Sequence, residues 1–301
     1  MAGVAMILVL GSNGQVGHEL KRQLLERGYE LLSPTRDELD LSNLDAVKTY
    51  LQAHQPTSMI NAAAYTQVDK AESEPQSADM LNHRLPHTLA EYSQQTGAYL
   101  LHYSTDYVYA GQGTKPQDEN APLIPQSVYG KTKLAGEMAI QATTNRYSIL
   151  RTSWVYSYRG HNFMNTMLKL ASQRDVLTIV DDQVGTPTSA DILATFSILA
   201  YEERLKGIYN LTQEGEVSWY GFAKAIFELA RKNKRLPNVP KLLPIKTCDY
   251  PTPAIRPLNS RLDCGKLLKA LDGVKLSDWK TGLSKEMTKQ QLPGNQQGTS
   301  Q

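Results

Sequence analysis

Continuously apolar runs alternate with amphipathic segments along the first half of the chain. Apolar runs are typical of strands buried on both faces of a sheet, and apolar residues every three or four positions are typical of helices. Strands are predicted at residues 6–10, 29–32, 59–61, 98–103 and 147–150. Helices are predicted between them at residues 16–27, 43–54, 77–95 and 128–142, with a kink or break at Pro86. This alternation predicts an α/β fold with a doubly wound parallel sheet.

The second half alternates less regularly, which predicts a separate, smaller lobe. Helices are predicted there at residues 163–172, 191–203, 219–232, 262–271 and 278–290, and strands at 176–180 and 208–211. Residues 236–257 contain six prolines and are predicted to be mostly loop. We therefore predict one domain made mainly of residues 1–155 and a mixed α/β lobe made mainly of residues 156–291, with segments that interchange. The Gly-, Gln- and Ser-rich tail at 292–301 is predicted to be disordered.

Composition narrows the class of protein. The 301 residues include 32 Lys and Arg against 30 Asp and Glu, and the resulting net charge of +2 argues against binding to nucleic acid. The two cysteines, Cys248 and Cys264, lie in no CxxC or Cys/His cluster, which argues against a disulfide scaffold and a structural zinc site. No apolar run approaches the roughly 18 residues of a membrane span. These features predict a cytoplasmic protein.

A glycine-rich turn follows the first predicted strand. Gly11, Gly14 and Gly17 have the spacing GxxGxxG, with Gln15 and Val16 between the last two. Such a turn lets the backbone approach a pyrophosphate and lets the helix lie close to the sheet, so that helix N–H groups face the phosphates. The alternative is a tight turn without a ligand. The position of the turn favours a Rossmann-type, NAD(P)-binding domain.

In such domains the segment after the second strand determines the preference between NADP and NAD. An arginine there favours a 2′-phosphate and an acidic residue favours a free ribose hydroxyl. Arg36 could pair with a phosphate, although its neighbour Asp37 would repel one, and Arg36 could equally be a surface charge. Asp40 and Leu41 lie where a pair that contacts adenine is expected.

A tyrosine and a lysine share one face of the helix predicted at 128–142. Tyr129 and Lys133 are four residues apart, one helical turn. A nearby ammonium stabilises a phenolate, so the pair could donate a proton to a carbonyl group that is being reduced. Thr105, at the end of the fourth strand, could hydrogen-bond the same carbonyl. An exposed helix face and a hydroxyl that caps a strand are the structural alternatives.

These residues together resemble the extended short-chain dehydrogenase/reductases. Longer strings resemble one family within them, the dTDP-4-dehydrorhamnose reductases, which make dTDP-L-rhamnose from its 4-keto precursor with NADPH or NADH. The strings occupy residues 61–72, 103–109, 129–137, 151–156 and 256–262. The resemblance covers residues 6–286, so it implies an oxidoreductase of nucleotide-sugar and polysaccharide biosynthesis.

The resemblance also implies a role for each matching position. At the cofactor, the pyrophosphate is expected to contact Gly14, Gln15 and Val16, and the adenine is expected to contact Asp40 and Leu41. The ribose and nicotinamide are expected to contact Ala64, Tyr65 and Thr66. Tyr65 replaces a histidine common at that position. Tyr129 would donate the proton, and Lys133 would bind the nicotinamide ribose and tune Tyr129.

The substrate side is implied in the same way. Thr105 and Asp106 would contact the sugar and Trp154 would flank it, although Trp154 could instead be a core residue. Arg256, in the proline-rich loop, is expected at the diphosphate because a guanidinium fork suits phosphate, with a loop charge as the alternative. Trp219 and Trp279 are expected to be packing residues, and no histidine has ligand spacing.

The family resemblance leaves some features open. Some members carry Mg2+ at a contact between two subunits, which allows a homodimer and Mg2+ here, although the sequence contains no metal-ligand cluster. Another nucleotide-sugar reductase, an epimerase or a dehydratase of the superfamily is one alternative function. A non-catalytic NADP-binding subunit, similar to the regulatory subunit of methionine adenosyltransferase, is another, and the intact Thr105, Tyr129 and Lys133 argue against it.

Overall fold

The structure is a computed structural model that describes residues 6–236 and 238–289. In chain order its strands are β1 (Met6–Leu10), β2 (Glu30–Leu32), β3 (Ser58–Asn61), β4 (Tyr99–Thr105), β5 (Tyr147–Thr152), β6 (Val155–Tyr156), β7 (Val176–Val180), β8 (Val184–Gly185), β9 (Thr188–Ser189), β10 (Gly207–Asn210), β11 (Val217–Ser218), β12 (Lys241–Ile245) and β13 (Asn259–Ser260). Its helices are α1 (Gln15–Glu26), α2 (Leu44–His54), α3 (Val68–Ala71), α4 (Pro75–Asp79), α5 (Leu85–Thr96), α6 (Val128–Thr143), α7 (Phe163–Ala171), α8 (Ala190–Glu202), α9 (Trp219–Lys232), α10 (Gly265–Ala270) and α11 (Trp279–Lys289).

Six parallel strands form the central sheet in the order β10-β5-β4-β3-β1-β2. Successive strand side chains point to opposite faces. Ile7 and Val9 of β1 therefore join one core with residues of α1 and α8, while Leu8 and Leu10 join a second with residues of α2 and α5. Because β1 pairs with β2 on one side and β3 on the other, the winding reverses there, at the position where open α/β sheets bind ligands. The predicted doubly wound, Rossmann-type sheet is confirmed.

A smaller lobe has a hydrophobic core of its own. Residues of α7, α9 and α11 build it, with Met164, Phe222 and Trp279 among the buried side chains. Its strands form small sheets: β7 pairs with β12, and β8 lies between β11 and β13. Trp279 is 4% exposed, in agreement with the packing role expected for it.

The chain passes between the two parts more than once. α8 packs against α1, and β10 extends the central sheet beside β5, although both follow the first elements of the lobe in sequence. The domain boundaries at 1–155 and 156–291 stay a prediction. The tail at 292–301 lies outside the described residues.

Most predicted elements are present, and the differences have local causes. The helix predicted at 77–95 is divided by a π-helical turn at Met80–Arg84, and Pro86 lies in the first turn of α5, directly after that break. The described residues of 236–257 are mostly loop, as predicted, with the strand β12 as the exception. β12 contains Pro244 and is an edge strand, the position at which a sheet tolerates proline. Within the described residues, no helix has the length and apolar character to span a membrane.

Candidate active site

The glycine turn joins β1 to α1 at the carboxyl edge of the sheet. Gly11 has φ +77°, a conformation that favours glycine, and a Cβ on Gly17 would lie 2.1 Å from the Gly11 carbonyl oxygen. Gly14 is the N-cap of α1 and supplies no side-chain cap, and the first turn has no acidic residue. A bare helix amino end beside a narrow backbone cradle suits a pyrophosphate. The residues therefore fit a dinucleotide cofactor, with Gln15 and Val16 at the start of the helix.

The segment after β2 lies beside this turn. The Ser12 hydroxyl donates to the Ser33 carbonyl oxygen at 3.4 Å, which joins the two segments. The Ser42 side chain and backbone N–H donate to Asp40 Oδ1 at 2.7 and 3.0 Å, and these hydrogen bonds lower the pKa of Asp40. Arg36 is exposed, and Leu41 is half-buried. The cofactor-selecting candidates are thus on the same edge as the glycine turn.

The segment after β3 borders the next part of that edge. The Tyr65 N–H donates to Asn82 Oδ1 at 2.8 Å, and Asn82 Nδ2 donates to the Tyr65 carbonyl and to Thr132 of α6, both at 3.2 Å. Asn82 belongs to the π-helical turn and is fully buried. It therefore fixes the backbone around Ala64 and Tyr65 against α6, while Thr66 is exposed.

Thr105 and Tyr129 meet where β4 ends and α6 begins. Ser127 caps α6 by accepting from the Gly130 N–H at 3.1 Å, and a Cβ on Gly130 would lie 2.4 Å from the Tyr107 carbonyl oxygen. This close approach brings the first turn of the helix to the strand end. Burial raises the pKa of Tyr129 to about 12, and its hydrogen bond with Thr105 opposes that rise. The Tyr107 ring packs edge-on against Tyr129 at 5.4 Å.

Lys133 lies one turn further along α6 and is 2% exposed. Its Nζ donates to the Tyr103 carbonyl oxygen at 2.5 Å and lies 3.2 Å from His102 Nε2. Burial lowers the pKa of Lys133 to about 8, an effect that the Glu137 carboxylate opposes. Tyr129 and Lys133, predicted from one motif, and Thr105, predicted from another, therefore all lie where α6 packs against the end of β4.

Asp106 follows Thr105 and is 3% exposed. Its Oδ1 accepts from the Thr105 hydroxyl at 3.0 Å, whereas its Oδ2 makes no well-formed hydrogen bond with any described residue. Burial raises the pKa of Asp106 to about 6, against the opposing effect of the Ser260 and Thr105 hydroxyls. A buried carboxylate oxygen without a partner is costly and suits a site that a polar ligand completes.

Trp154 and Arg256 come from segments that border the smaller lobe. Trp154 has φ +50° and stacks on Trp219, with ring centroids 3.5 Å apart. Arg256 donates to Asp69 at 2.5 Å. Arg256 also affects the Tyr107 phenol, since it lowers the pKa of that group against a larger rise from burial. Arg256 is thus linked through Tyr107 to Tyr129.

The family assignment follows from comparison with known proteins. The family model for the RmlD substrate binding domain matches residues 5–292. A protein of Salmonella typhimurium (strain LT2) named dTDP-4-dehydrorhamnose reductase is 40% identical over 290 residues, which cover 94% of this chain and 97% of that protein. The chain belongs to the dTDP-4-dehydrorhamnose reductase family. The resemblance inferred from the sequence is confirmed.

Solved structures of dTDP-4-dehydrorhamnose reductases agree with this assignment. The Clostridium acetobutylicum protein has a TM-score of 0.89 at 37% identity and covers 95% of this chain and 100% of its own. The Bacillus anthracis protein, solved in complex with NADP, also has a TM-score of 0.89, at 32% identity, and covers 95% and 99%. A UDP-glucose 4-epimerase of Thermus thermophilus shares the fold, with a TM-score of 0.79 at 21% identity over 94% and 98% of the two chains.

Sequence reasoning missed three polar residues that support the site of this family member. Asn61 and Asn82 are fully buried, as is His102, to which no role was assigned. His102 interrupts the apolar strand β4, and an isolated polar residue in such a strand is the signal that could have identified it. Among the described residues, no group of three or more His, Cys, Asp or Glu side chains could hold a metal ion, so Mg2+ has no support.

Proposed function

We propose that this protein reduces the C4 keto group of dTDP-4-dehydro-β-L-rhamnose to give dTDP-β-L-rhamnose, with NADPH or NADH as the hydride donor. The observation that carries the proposal is that Thr105 and Tyr129 are hydrogen-bonded at the carboxyl end of β4, to which Lys133 of α6 also bonds, on the same sheet edge as the glycine turn. This arrangement pairs a proton donor with a dinucleotide site. The choice of dTDP and of the rhamnose configuration rests on the named relatives.

The cofactor and the protein's side chains supply different parts of the reaction. A bound nicotinamide cofactor supplies the hydride. The Tyr129 hydroxyl gives its proton to the substrate oxygen as negative charge develops there. The Thr105 hydroxyl, which donates to Asp106 Oδ1 in the free protein, would turn to donate to that oxygen and hold it in place. Burial raises the pKa of the Tyr129 phenol to about 12, against the opposing hydrogen bond with Thr105. An ammonium group on Lys133, one helical turn further along α6, would lower that pKa and make Tyr129 a better acid near neutral pH.

The proposed cofactor contacts follow the edge of the sheet. The pyrophosphate would lie against Gly11, Gly14 and Gly17 and the first residues of α1, Gln15 and Val16. Asp40 and Leu41 would border the adenine, and Ala64, Tyr65 and Thr66 would border the ribose and nicotinamide. The NADP bound to the Bacillus anthracis relative supports NADPH as the cofactor. Arg36 would then pair with the 2′-phosphate.

The proposed sugar contacts lie on the side of the smaller lobe. Thr105 and Asp106 would hydrogen-bond the sugar, and Asp106 Oδ2, which makes no well-formed hydrogen bond with any described residue, supports a polar contact there. The stacked Trp154 would flank the ring, and Arg256 would leave Asp69 to pair with the diphosphate. The central-sheet part would thus bind the cofactor and the lobe the nucleotide sugar.

The test is NADPH oxidation, followed by absorbance, with the enzymatically prepared 4-keto sugar nucleotide. We expect oxidation and a product identified by NMR as dTDP-L-rhamnose. A product epimeric at C4 would contradict the substrate assignment and leave a reductase. Binding of NADPH without oxidation would favour the non-catalytic subunit, and isomerisation without net oxidation would favour an epimerase.

A further inference from the structure

His102 lies in a buried chain of polar groups behind the catalytic residues. It is fully buried in the middle of β4. Its Nε2 lies 3.2 Å from Lys133 Nζ, and its Nδ1 lies 3.1 Å from Asn61 Nδ2 at the end of β3. The chain Asn61–His102–Lys133 therefore connects two strands of the sheet with α6.

The orientation of Asn61 decides which imidazole nitrogen carries the proton. The Ala63 N–H donates to Asn61 Oδ1 at 3.2 Å, which turns the Nδ2 group of Asn61 towards His102. An amide NH2 group can only donate, so His102 Nδ1 must accept. Burial and the neighbouring Lys133 hold the pKa of His102 well below its ordinary value, so the ring is neutral. A neutral ring that accepts at Nδ1 carries its proton on Nε2.

This tautomer has a consequence for Lys133. His102 Nε2–H points at Lys133 Nζ and can only donate to it. An ammonium group has no lone pair, whereas an uncharged amine can accept from Nε2–H and still donate to the Tyr103 carbonyl. The hydrogen-bond pattern is therefore complete only when Lys133 is uncharged, and burial shifts the pKa of Lys133 in the same direction.

We propose that His102, oriented by Asn61, is a positioning residue that donates from Nε2–H to Lys133 Nζ, holds that nitrogen against β4 and favours its uncharged form, so that Lys133 can both carry and release a proton. The inference rests on the proposed function. Lys133 Nζ can donate to the Tyr103 carbonyl oxygen in either charge state, so the bond from His102 Nε2–H is gained only when Lys133 has released a proton.

Other ionisable groups interact with this series of hydrogen-bonded residues. Glu137, on α6, favours the charged form of Lys133 but is itself paired with Arg151 of β5, at 2.6 Å. Tyr129 and Asp106 lie on the cleft side. His102 is thus the group from β4 that favours the uncharged form, opposite in sign to Glu137.

The tautomer can be measured directly on the full-length protein. We expect the 15N NMR spectrum of histidine-labelled protein to contain one neutral ring with its proton on Nε2 and no titration between pH 5 and 8. Its signals are assigned by their loss in His102→Gln. A proton on Nδ1 of His102, or titration within that range, would overturn the inference whether or not the protein reduces the keto sugar.

Two substitutions of His102 distinguish the effect of its hydrogen bonds from the effect of its packing. In His102→Gln the amide can accept from Asn61 and donate to Lys133, whereas His102→Leu can do neither. We expect kcat to stay within about threefold in His102→Gln and to fall roughly ten- to hundredfold in His102→Leu, with a similar urea midpoint of unfolding. Equal losses in the two variants would overturn the role. Absence of keto-sugar reduction by the unsubstituted protein would instead overturn the proposed function.

Discussion

The Arg256 guanidinium donates to the Asp69 carboxylate at 2.5 Å and so links the proline-rich loop to α3. The side chains are 31% and 38% exposed. Exposed ion pairs contribute little to stability, with a usual range of about 0–1 kcal/mol. A charge pair of this kind, beside the cleft, can be exchanged for a ligand phosphate at small cost.

Arg256→Gln should therefore separate binding from folding. We expect KM for the nucleotide sugar to rise about tenfold or more, because a charge-assisted bond to the diphosphate is lost, while the free energy of unfolding changes by less than about 1 kcal/mol. Steady-state kinetics and urea titration measure the two effects. Arg84→Gln, which removes the surface pair with Asp79, is the matched control and should leave KM unchanged. An unchanged KM in Arg256→Gln would make Arg256 a loop charge only.

Tyr129→Phe tests the proton donor. The change removes the hydroxyl and keeps the ring that packs against Tyr107. We expect kcat to fall by about two to four orders of magnitude, the usual contribution of general acid catalysis, with little change in the Kd for NADPH. Fluorescence titration measures that Kd. Turnover close to that of the unsubstituted protein would exclude Tyr129 as the acid.

The sequence identified those parts of the site that carry a local pattern. The glycine spacing after β1 and the Tyr-x-x-x-Lys spacing each reflect a local requirement of backbone approach or helix periodicity, so they could be found without a structure. His102 and Asn82 act through contacts between residues 31 and 50 positions apart, which no local pattern records.

The positions of the helices and strands of the second half were harder to predict than their presence. α8 and β10 are predicted correctly as a helix and a strand, yet no pattern indicates that β10 pairs with β5 while β12 pairs with β7. Such pairing depends on which buried faces remain uncovered after the earlier elements pack. The proline count also concealed β12, because an edge strand does not need every N–H.

Arg36→Ala tests the cofactor preference. If Arg36 pairs with the 2′-phosphate, the Kd for NADPH should rise at least about tenfold, while that for NADH, which lacks this phosphate, should change by less than about twofold. Binding titrations with both cofactors measure the ratio. Equal effects on the two cofactors would mean that Arg36 is a surface charge without a role in selection.

Asp106→Asn tests whether the ionised Asp106 carboxylate lowers the free energy of unfolding of the protein. Burial raises the pKa of Asp106 from 3.8 to about 6 in the folded protein. Between these two values the folded protein holds a proton that the unfolded chain has released, so the stability present below pH 3.8 is lost as the pH rises through about 6. Asparagine cannot ionise and escapes this loss. From pH 4 to pH 7 the variant should therefore gain roughly 2–3 kcal/mol in free energy of unfolding relative to the unsubstituted protein.

Urea titrations of both proteins at pH 4 and pH 7 measure this difference. Asp45→Asn, an exposed position in the first turn of α2, is the matched control and should show no such gain with pH. The same Asp106→Asn variant should bind the nucleotide sugar more weakly, because the ionised Oδ2, which makes no well-formed hydrogen bond in the protein, is the atom available to accept from a sugar hydroxyl. If the difference in free energy of unfolding between the two proteins does not change with pH, the pKa of Asp106 is not raised by folding and the prediction is wrong.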